Sequence, residues 1–543
     1  KNQPPGAMSG ADQPLLPQNR AGKGGCCSDP SNNPTGAIVA AIVATLGSFM
    51  FGFNLGFTSP ALPSLEWGSD AVFTDCTEWN VGNDGGYTCK ESVQGAFWSA
   101  IINFGAMAGA FTGGPVADAV GRKYAVILSG IPLAIGWLWL AFDTVYLNLL
   151  VARFLTGFGM GMVTPSINVF IPEISPKSLR GTLGSMFQLN LTIGILVVYV
   201  LGDYLTTPVT VTPSMNPTNP KNYKTALDHA ECNWRLLAMV GCGVSVLMMV
   251  GMLFFPESPE YLISMAQKCE DEEKKSALED RAIYALHFYR GAGYDARKEL
   301  EADVKNSGDQ KRNDQEMNAV AGDRDSSARP CCERGVVVPM MIMLVLHAVQ
   351  QFSGINAVIF FCQEIFTDAG VEDPVVASLV VAIVQVVFTV ITTGTIDMAG
   401  RRVLLTISLA GMAASCVGMS AAFHYKEIGE RKDWLAVSSL LGYISFFSLG
   451  AGAIVWVLMG ELLPLRARGI GSSIASGFNW SCSFLVTFFF SMMLTRLQGI
   501  GTFMVYAGVC AFGALFVLLA VPETKGLDLT AIEGLFAPAE KED

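Results

Sequence analysis

Long apolar runs separated by short polar segments are the main pattern in this chain. Each run is near the length of about 20 residues that an α-helix needs to cross a lipid bilayer. The pattern predicts an all-α membrane protein with twelve transmembrane helices in two sets of six. The first set lies at residues 36–60, 95–117, 124–143, 146–171, 182–204 and 234–255, and the second at 336–366, 375–396, 403–424, 435–460, 469–495 and 500–521.

Short polar motifs between the runs occur twice, in the same order. In membrane proteins built from two related halves, the substrate commonly binds at their interface near the middle of the bilayer. The repeat therefore predicts two pseudo-symmetric six-helix bundles and favours a transporter. The motif starts are Asp118 and Asp397 for Asp-x-x-Gly-Arg, Glu173 and Glu461 for Glu-x-x-Pro-x-x-x-Arg-Gly, and Pro256 and Pro522 for Pro-Glu-Ser/Thr.

Composition supports a membrane environment. Hydrophobic residues make up 51% of the chain and charged residues 15%, against about 25% charged residues in average soluble proteins. The chain has only four His, no phosphate-binding Gly-Lys loop, no nucleophile beside an evident base, and no metal-site cysteine spacing. We therefore expect no enzyme activity, cofactor or metal. The partners expected are a substrate and the lipid bilayer, with no nucleic acid and no obligate protein partner.

Basic residues indicate the orientation, because Lys and Arg are enriched in cytoplasmic loops. The short loops on one side hold Arg122, Lys123, Lys177, Arg180, Arg401, Arg402, Arg466 and Arg468. Both termini are therefore expected in the cytoplasm, with the plasma membrane as the location. The predicted domains are a disordered cytoplasmic N-terminal tail at 1–35, a six-helix bundle at 36–256, a cytoplasmic helical linker at 257–334, a second bundle at 335–522 and a cytoplasmic C-terminal tail at 523–543.

Two further local features can be interpreted. The linker stretch from Asp271 to Tyr289 has the spacing of an amphipathic helix. Cys76 and Cys89 lie in the polar loop after the first span, where an oxidising compartment permits a disulfide. Two free thiols, or a bridge from either residue to Cys232, remain alternatives.

The combined motifs resemble the sugar porters of the major facilitator superfamily, and the chain is similar to facilitative hexose transporters of the GLUT type. The matches extend from about residue 45 to 535. The resemblance implies facilitative transport of hexoses, D-glucose first, through two helix bundles joined by a cytoplasmic helical domain. The motifs are Gly121-Arg122-Lys123, Pro256-Glu257-Ser258-Pro259, the run from Gln350 to Asn356, Gly400-Arg401-Arg402, and the run from Pro522 to Gly526.

Amides in the seventh span are the first candidates for sugar contact, because an amide both donates and accepts hydrogen bonds. Gln350, Gln351 and Asn356 lie within this span, and Ser353-Gly354 between them permits a break in the helix. The alternative role is hydrogen bonding between helices, which polar residues in spans commonly perform. The resemblance favours sugar binding.

The same resemblance implies further site residues and several departures. Gln188 matches a sugar-binding Gln, with Leu191 and Ile195 on its face. Trp456 matches a Trp beneath the sugar, and Trp480 a second aromatic; core packing or lipid contact is the alternative for both. Ser448 stands in place of a Glu, Gln385 and Ser483 in place of Asn, and His347-Ala348-Val349 in place of a triplet associated with glucose preference. These departures predict a looser pocket that also accepts fructose or other hexoses.

Energy coupling depends on the first span. Proton-coupled relatives carry an Asp there that pairs with an Arg in span four, whereas this chain has Asn54, with Arg153 retained. An amide does not titrate, so we expect uniport. A proton-coupled sugar or polyol symporter and a non-transporting sugar sensor are the alternatives.

Charged residues of the repeated motifs predict a cytoplasmic gate, in which acids and bases pair across the halves when the inner side closes. The alternative is that basic residues at span ends only extend to the membrane interface. The predicted gate residues are Arg122, Arg153, Glu173, Arg180, Glu257, Asp397, Arg401, Arg402, Glu461 and Arg468.

Overall fold

A computed structural model gives the architecture of the chain. It describes residues 34–67, 72–73, 78–81, 87–91, 93–176, 179–209, 229–291, 293–298, 334–369, 371, 373–427, 433–463, 468–525 and 535–536.

The first half forms a bundle followed by two shorter helices. Two breaks, at Thr45 and Phe57, divide the first predicted span into three helices. The helices are α1 Thr35–Ala44, α2 Leu46–Gly56, α3 Thr58–Trp67, α4 Val93–Val120, α5 Arg122–Phe142, α6 Tyr146–Ile174, α7 Arg180–Tyr204, α8 Trp234–Leu253, α9 Pro259–Lys268 and α10 Glu272–Arg290.

The second half repeats the arrangement. The predicted seventh span is divided at Ser353-Gly354, as expected, and again at Phe361; the tenth is divided at residues 450–453. The helices are α11 Arg334–Phe352, α12 Ile355–Phe360, α13 Cys362–Ala369, α14 Pro374–Ala399, α15 Arg401–Glu427, α16 Asp433–Leu449, α17 Ile454–Leu462 and α18 Arg468–Ala520.

The helices agree with the twelve predicted spans. Within the described residues, eleven helical stretches are long and apolar enough to cross a membrane. The last of them, Gly471–Ala520, contains both the eleventh and the twelfth predicted spans, which meet at Gln498, where φ is 57° and ψ is 177°. The all-α fold class is confirmed. Two short antiparallel strand pairs add to it between spans: β1 Glu78–Val81 with β2 Tyr87–Glu91, and β3 Thr206–Val209 with β4 His229–Cys232.

These elements define two sides of the bundle. We call the end with α9 and α10 the linker side, and the end with the strand pairs the hairpin side. The predicted amphipathic helix from Asp271 to Tyr289 is confirmed as α10, whose N-terminus is capped by the carboxylate of Asp271. The Tyr289 hydroxyl donates to the carbonyl oxygen of Pro256 at 2.6 Å and so joins α10 to the end of α8. Burial raises the pKa of Tyr289, which keeps the hydroxyl protonated as a donor.

Small residues allow α4 and α6 to pack backbone against backbone. A methyl group added at Gly105 would collide with the carbonyl oxygen of Phe154, and one added at Gly157 would collide with that of Ile102. Close backbone approach over small residues is a common way for helices to associate in membranes, where there is little hydrophobic drive between them.

A glycine in an unusual backbone conformation begins α5 on the linker side. Gly121 has φ 103° and ψ 159°, a region that is essentially restricted to glycine. This turn presents the backbone N–H of Lys123 to Oε1 of Glu257 at 2.9 Å. Gly400 repeats the turn with φ 89°, and there the N–H of Arg401 meets Oε1 of Glu523 at 2.9 Å.

Gly121→Ala should lower the stability of the folded protein by about 1–3 kcal/mol, because a side chain strains this conformation. The measurement is thermal unfolding in detergent. Gly184→Ala is the matched control, since a methyl group there would meet no heavy atom within 4 Å. Equal unfolding temperatures for the two variants would contradict the prediction.

Candidate functional site

A cavity lies between the two bundles and encloses about 470 Å³, including the part open to solvent. The first half contributes residues from α2 and α7, and the second half contributes residues from α11, α12, α14, α16, α17 and α18. A cleft between two helix bundles is a common location for a small-molecule site. Its walls are formed by Phe51, Leu55, Gln188, Leu191, Gln350, Gln351, Ile355, Asn356, Ile359, Gln385, Phe447, Gly452, Trp456, Asn479 and Trp480.

Most of the predicted sugar-contact residues meet at this cavity. Gln188, Gln350, Gln351, Asn356, Gln385, Leu191, Trp456 and Trp480 are all on its walls. Two predicted members are elsewhere. Ile195 is buried against the backbone of α2 near Gly52 and Gly56. Ser448 is buried behind the wall; its hydroxyl has no partner among the described residues, and its carbonyl oxygen accepts from Thr392.

The amides of the second half form a hydrogen-bonded row along the wall. Nε2 of Gln350 donates to the carbonyl oxygen of Ala451 at 2.7 Å. Nδ2 of Asn479 donates to Oε1 of Gln350 at 2.9 Å, and Nε2 of Gln351 donates to Oδ1 of Asn479 at 3.0 Å. Nδ2 of Asn356 then donates to Oε1 of Gln351 at 2.9 Å. Each side chain is 5% exposed or less, so the row satisfies polar groups that water does not reach freely.

The row ends on two further polar side chains. Nδ2 of Asn356 also donates to the hydroxyl of Ser483 at 2.5 Å. Nδ2 of Asn479 is 3.0 Å from Nδ1 of His347, whose ring packs at 5.0 Å and 64° on that of Trp456. His347 is therefore linked both to the amides and to an aromatic wall of the cavity.

Sequence reasoning missed Asn479, which bridges α18 to both glutamines of α11. The available signal was an Asn beside Trp480 within an apolar span. Phe51 was also missed; its ring meets Trp480 edge to face at 5.3 Å and joins the two halves across the cavity. The aromatic faces of this pair give the wall flat apolar surface beside the amides.

The hairpin side of the cavity is closed by a hydrogen bond between the halves. The Tyr199 hydroxyl on α7 donates to the carbonyl oxygen of Ile359 on α12 at 2.6 Å. Tyr199 is 5% exposed, Ile359 lines the cavity, and Cys362, which follows the break at Phe361, interacts with Tyr199. We call this buried hydrogen bond between the two halves the hairpin-side latch.

The linker side carries matching clusters of charge in the two halves. In the first, Nε of Arg122 donates to Oε1 of Glu173 at 3.1 Å, and the Ser258 hydroxyl donates to Oε2 of the same carboxylate. In the second, Nη2 of Arg401 donates to Oε1 of Glu461 at 3.2 Å, and the Thr524 hydroxyl donates to Oε2 at 2.5 Å. The sequence repeat is therefore also a repeat of contacts.

These described ion pairs lie within one half each, so they do not show the expected pairing across the halves. Nη2 of Arg402 donates to the carbonyl oxygen of Leu518, again within its own half. Glu257 accepts from backbone N–H groups of Lys123 and Ser258 instead of from a basic side chain. The side chains of Arg180, Asp397 and Arg468 lie outside the described residues.

Arg153 was wrongly assigned to the linker-side gate. It lies near the hairpin-side start of α6, whereas Glu173 is near the other end, 20 residues and about 30 Å along the helix at about 1.5 Å per residue. Arg153 is fully buried; Nη2 donates to the Thr58 hydroxyl at 2.6 Å, and the guanidinium lies 4.6 Å from the Trp98 ring centroid. Its contact with Asn54 goes to the backbone carbonyl oxygen at 3.4 Å.

The predicted disulfide cannot be placed, because Cys76 lies outside the described residues. Cys232, the proposed competitor, is a free thiol. Burial raises its pKa to about 11, which keeps the thiol protonated and unreactive at neutral pH.

Comparisons with known proteins agree with this architecture. A family model described as "Sugar (and other) transporter" matches residues 40–536. The chain is 34% identical over 510 residues to Sugar transporter ERD6-like 6 of Arabidopsis thaliana, covering 92% of this chain and 90% of that protein. It is 32% identical over 512 residues to Facilitated trehalose transporter Tret1 of Polypedilum vanderplanki, covering 93% and 89% respectively. The proton:xylose symporter XylE from E. coli, bound to 6-bromo-6-deoxy-D-glucose, shares the fold with a TM-score of 0.69 at 23% identity, over 93% of this chain and 100% of that one.

The chain therefore belongs to the sugar transporter family. It is an integral membrane sugar transporter and not an enzyme. The cavity between the bundles is the candidate binding site for its sugar.

Tyr199→Phe should weaken the hairpin-side latch and increase the population in which this end is open. The loss of one buried hydrogen bond, about 0.5–1.5 kcal/mol, corresponds to a roughly 2- to 13-fold shift in that population. Labelling of Cys362, which is 1% exposed in the closed form, by a membrane-impermeant maleimide applied from the hairpin side measures it. The control is the double variant Tyr199→Phe with Cys362→Ser. It lacks the reporting thiol, so its labelling measures the contribution of the other cysteines. An unchanged rate of Cys362 labelling would show that the bond is not a latch.

Proposed function

We propose that this protein is a facilitative transporter of hexoses, D-glucose first and fructose as well, that works by alternating access. The observation that carries the proposal is the cavity itself, where a row of amides on one half faces aromatic and apolar groups from both halves. Hexose rings present hydroxyl groups, which pair with amides, and C–H faces, which pack on aromatic rings.

The binding residues in this proposal are those on the cavity wall. Gln350, Gln351, Asn356 and Gln188 pair with hydroxyls, with Gln385 beside them, while Trp456 and Trp480 pack on the ring. Ser448 lies behind the wall, and its side chain is small and uncharged. It leaves out the ionised acceptor that a Glu would supply, and this absence supports acceptance of more than one hexose.

A disaccharide is a second candidate substrate. The relative from Polypedilum vanderplanki is named as a facilitated trehalose transporter, and that name supports the facilitative mode as well. A single hexose is favoured, because the amides and the Trp456 side chain line the same space. Competition of labelled glucose uptake by trehalose separates the two candidates.

The surroundings of Arg153 support uniport. The residue at the position of the proton-carrying carboxylate is Asn54, fully buried, with Nδ2 donating to the carbonyl oxygen of Thr156 at 3.4 Å. The positive charge of Arg153 is met by the faces of Trp98 and Phe57 and by the Thr58 hydroxyl. Intramembrane carboxylates are the usual proton carriers, and the described contacts of Arg153 include none.

Alternating access would use the two ends described above. When the linker side closes, Glu173 and Glu461 release their partners within each half and pair with basic residues of the other half. The Tyr199 latch on the hairpin side then opens. In the membrane, the linker side with both termini faces the cytoplasm, and the location is the plasma membrane. In this proposal the chain divides into domains at residues 36–256, 257–334 and 335–522.

Sugar uptake into proteoliposomes should equilibrate and never exceed the outside concentration, because Asn54 cannot carry a proton. The measurement is labelled D-glucose uptake with and without an imposed gradient that is acidic outside, and with a protonophore as the control. Accumulation that the protonophore abolishes would establish the symporter alternative. Saturable sugar binding without any uptake would establish the sensor alternative.

Gln351→Ala should raise the half-saturating glucose concentration roughly 5- to 150-fold, or abolish uptake. The substitution removes an amide that pairs with the sugar and with two neighbours, at about 1–3 kcal/mol for an unsatisfied buried group. Gln267→Ala on α9, outside the spans, is the matched control and should transport normally. An unchanged affinity in Gln351→Ala would remove Gln351 from the site.

Fructose should compete with glucose within about tenfold, a difference of roughly 1.4 kcal/mol. The physical reason is that amides can meet the hydroxyls of either a pyranose or a furanose ring, whereas Ser448 cannot supply the ionised acceptor that Glu would. Competition for uptake of labelled glucose measures it, with L-glucose as the control for non-specific inhibition. Fructose that remains inert at a thousandfold excess would rule this selectivity out.

A further inference from the structure

The direction of the amide row is determined by one backbone carbonyl. A carbonyl oxygen accepts hydrogen bonds and cannot donate them, so the group of Gln350 that faces Ala451 is its Nε2 amide. Oε1 of Gln350 then faces Asn479, which has to present Nδ2. Because the carbonyl oxygen of Ala451 belongs to the main chain between α16 and α17, it cannot turn over as a side-chain amide can.

The orientations of the other amides in the row follow from the orientation of Gln350. With Nδ2 of Asn479 toward Gln350, its Oδ1 faces Gln351, which donates through Nε2. Oε1 of Gln351 then accepts from Nδ2 of Asn356, whose second hydrogen goes to Ser483. A reversal at any one amide would place two donors or two acceptors opposite each other within a buried row, and unsatisfied buried polar groups are costly.

The amide row requires one particular tautomer of the His347 ring. The second hydrogen of Asn479 Nδ2 is directed at Nδ1 of His347 at 3.0 Å, so Nδ1 has to accept. The proton of the neutral ring is then on Nε2, which is buried and has no hydrogen-bond partner among the described residues. His347 is fully buried, with the ring against Trp456.

We propose that His347 is a positioning residue that, together with the Ala451 carbonyl, sets which hydrogen-bonding groups the cavity offers to a sugar. Both hydrogens of Asn479 Nδ2 and both of Asn356 Nδ2 are used within the protein. These two residues therefore offer carbonyl oxygens only, and the hydroxyls they meet must donate. Within the described part of the chain, Gln350 and Gln351 each donate one Nε2 hydrogen, to Ala451 and Asn479 respectively, so each has a second N–H to offer a sugar.

This inference deepens the proposed function and rests on it for the identity of the ligand, a polyhydroxylated sugar. His347 itself is not on the cavity wall; it acts through Asn479. Its effect is therefore distinct from that of a residue that touches the sugar, and part of the test needs no sugar at all.

The first measurement is nitrogen-15 NMR of the full-length protein labelled at histidine, in lipid bilayers at pH 7. The chain has four His, and the signals of His347 are those that disappear in His347→Gln. We expect an unprotonated Nδ1 and a protonated Nε2. A proton on Nδ1, in either the other tautomer or the imidazolium, overturns the inference. If the protein transports no hexose, this measurement still decides, so the two failures are distinguishable.

The second measurement compares His347→Leu with His347→Gln by labelled glucose uptake. Leu removes the acceptor, whereas the carbonyl oxygen of Gln can take the Asn479 hydrogen. We expect the KM of the Leu variant to rise at least roughly fivefold, the equivalent of about 1 kcal/mol, with the maximal rate retained. We expect the Gln variant to stay within about threefold of the parent. If both variants fold, as checked by thermal unfolding, and have equal KM values, His347 is a packing residue only. If His347→Leu does not fold, the KM of His347→Gln decides. A KM equal to the parent's supports the positioning role, and a raised KM overturns it.

The third measurement reads the wall directly, with monodeoxy and monofluoro D-glucoses as competitors. Carbon-bound fluorine accepts weakly and cannot donate. At a hydroxyl that donates to Asn356 or Asn479, the fluoro sugar should compete as weakly as the deoxy sugar. At a hydroxyl that accepts from the second N–H of Gln350 or Gln351, the fluoro sugar should compete better than the deoxy sugar. If fluorine is better than hydrogen at every position, the wall offers donors throughout and the assignment is overturned.

Discussion

The requirement that buried polar groups be hydrogen-bonded inside a membrane protein shapes the whole site. Water is scarce in the bilayer core, so an amide there needs a partner from the protein. Gln350, Gln351, Asn356 and Asn479 meet this need by bonding to one another, and the row is tied to the main chain at Ala451. The lone pairs and hydrogens on the cavity wall are therefore already oriented by the protein itself.

Breaks in the spans make this arrangement possible. Gly354, with φ 94°, separates α11 from α12 and lets Asn356 reach back to Gln351, five residues earlier, which a continuous helix would not allow. The interruption at residues 450–453 brings the Ala451 carbonyl to Gln350. The break at Phe361 lies next to the Ile359 carbonyl that Tyr199 uses from the other half. Each of these three breaks lies beside one of the contacts just named. The reason is that the backbone groups of an unbroken helix bond to one another and are not available to other residues.

The two ends of the bundle are held by different kinds of interaction. The hairpin side is joined by a neutral hydrogen bond between the halves, while the linker side has clusters of charge contained within each half. Arg153, near the hairpin-side start of α6, takes part in neither set of contacts. The quadrupoles of Trp98 and Phe57 can stabilise a cation that is removed from water, which explains how a guanidinium stays buried beside an uncharged Asn54.

The sequence alone determined the features that depend on local composition and repetition. Apolar runs of bilayer length predicted the spans, the duplicated motifs predicted two bundles, and Ser353-Gly354 predicted the break in span seven. The clusters around Glu173 and Glu461 were predicted to pair across the halves, whereas the described pairs lie within each half. The resemblance to known transporters predicted most of the cavity wall. Asn479, Phe51 and the Tyr199 contact depended on which faces of distant helices meet, and this packing is not encoded in any local pattern. The displacement of Ile195 and Ser448 from the wall, the true location of Arg153 and the direction of the amide row were likewise decided by tertiary structure. A hydrogen-bond partner more than a hundred residues away is selected by three-dimensional packing.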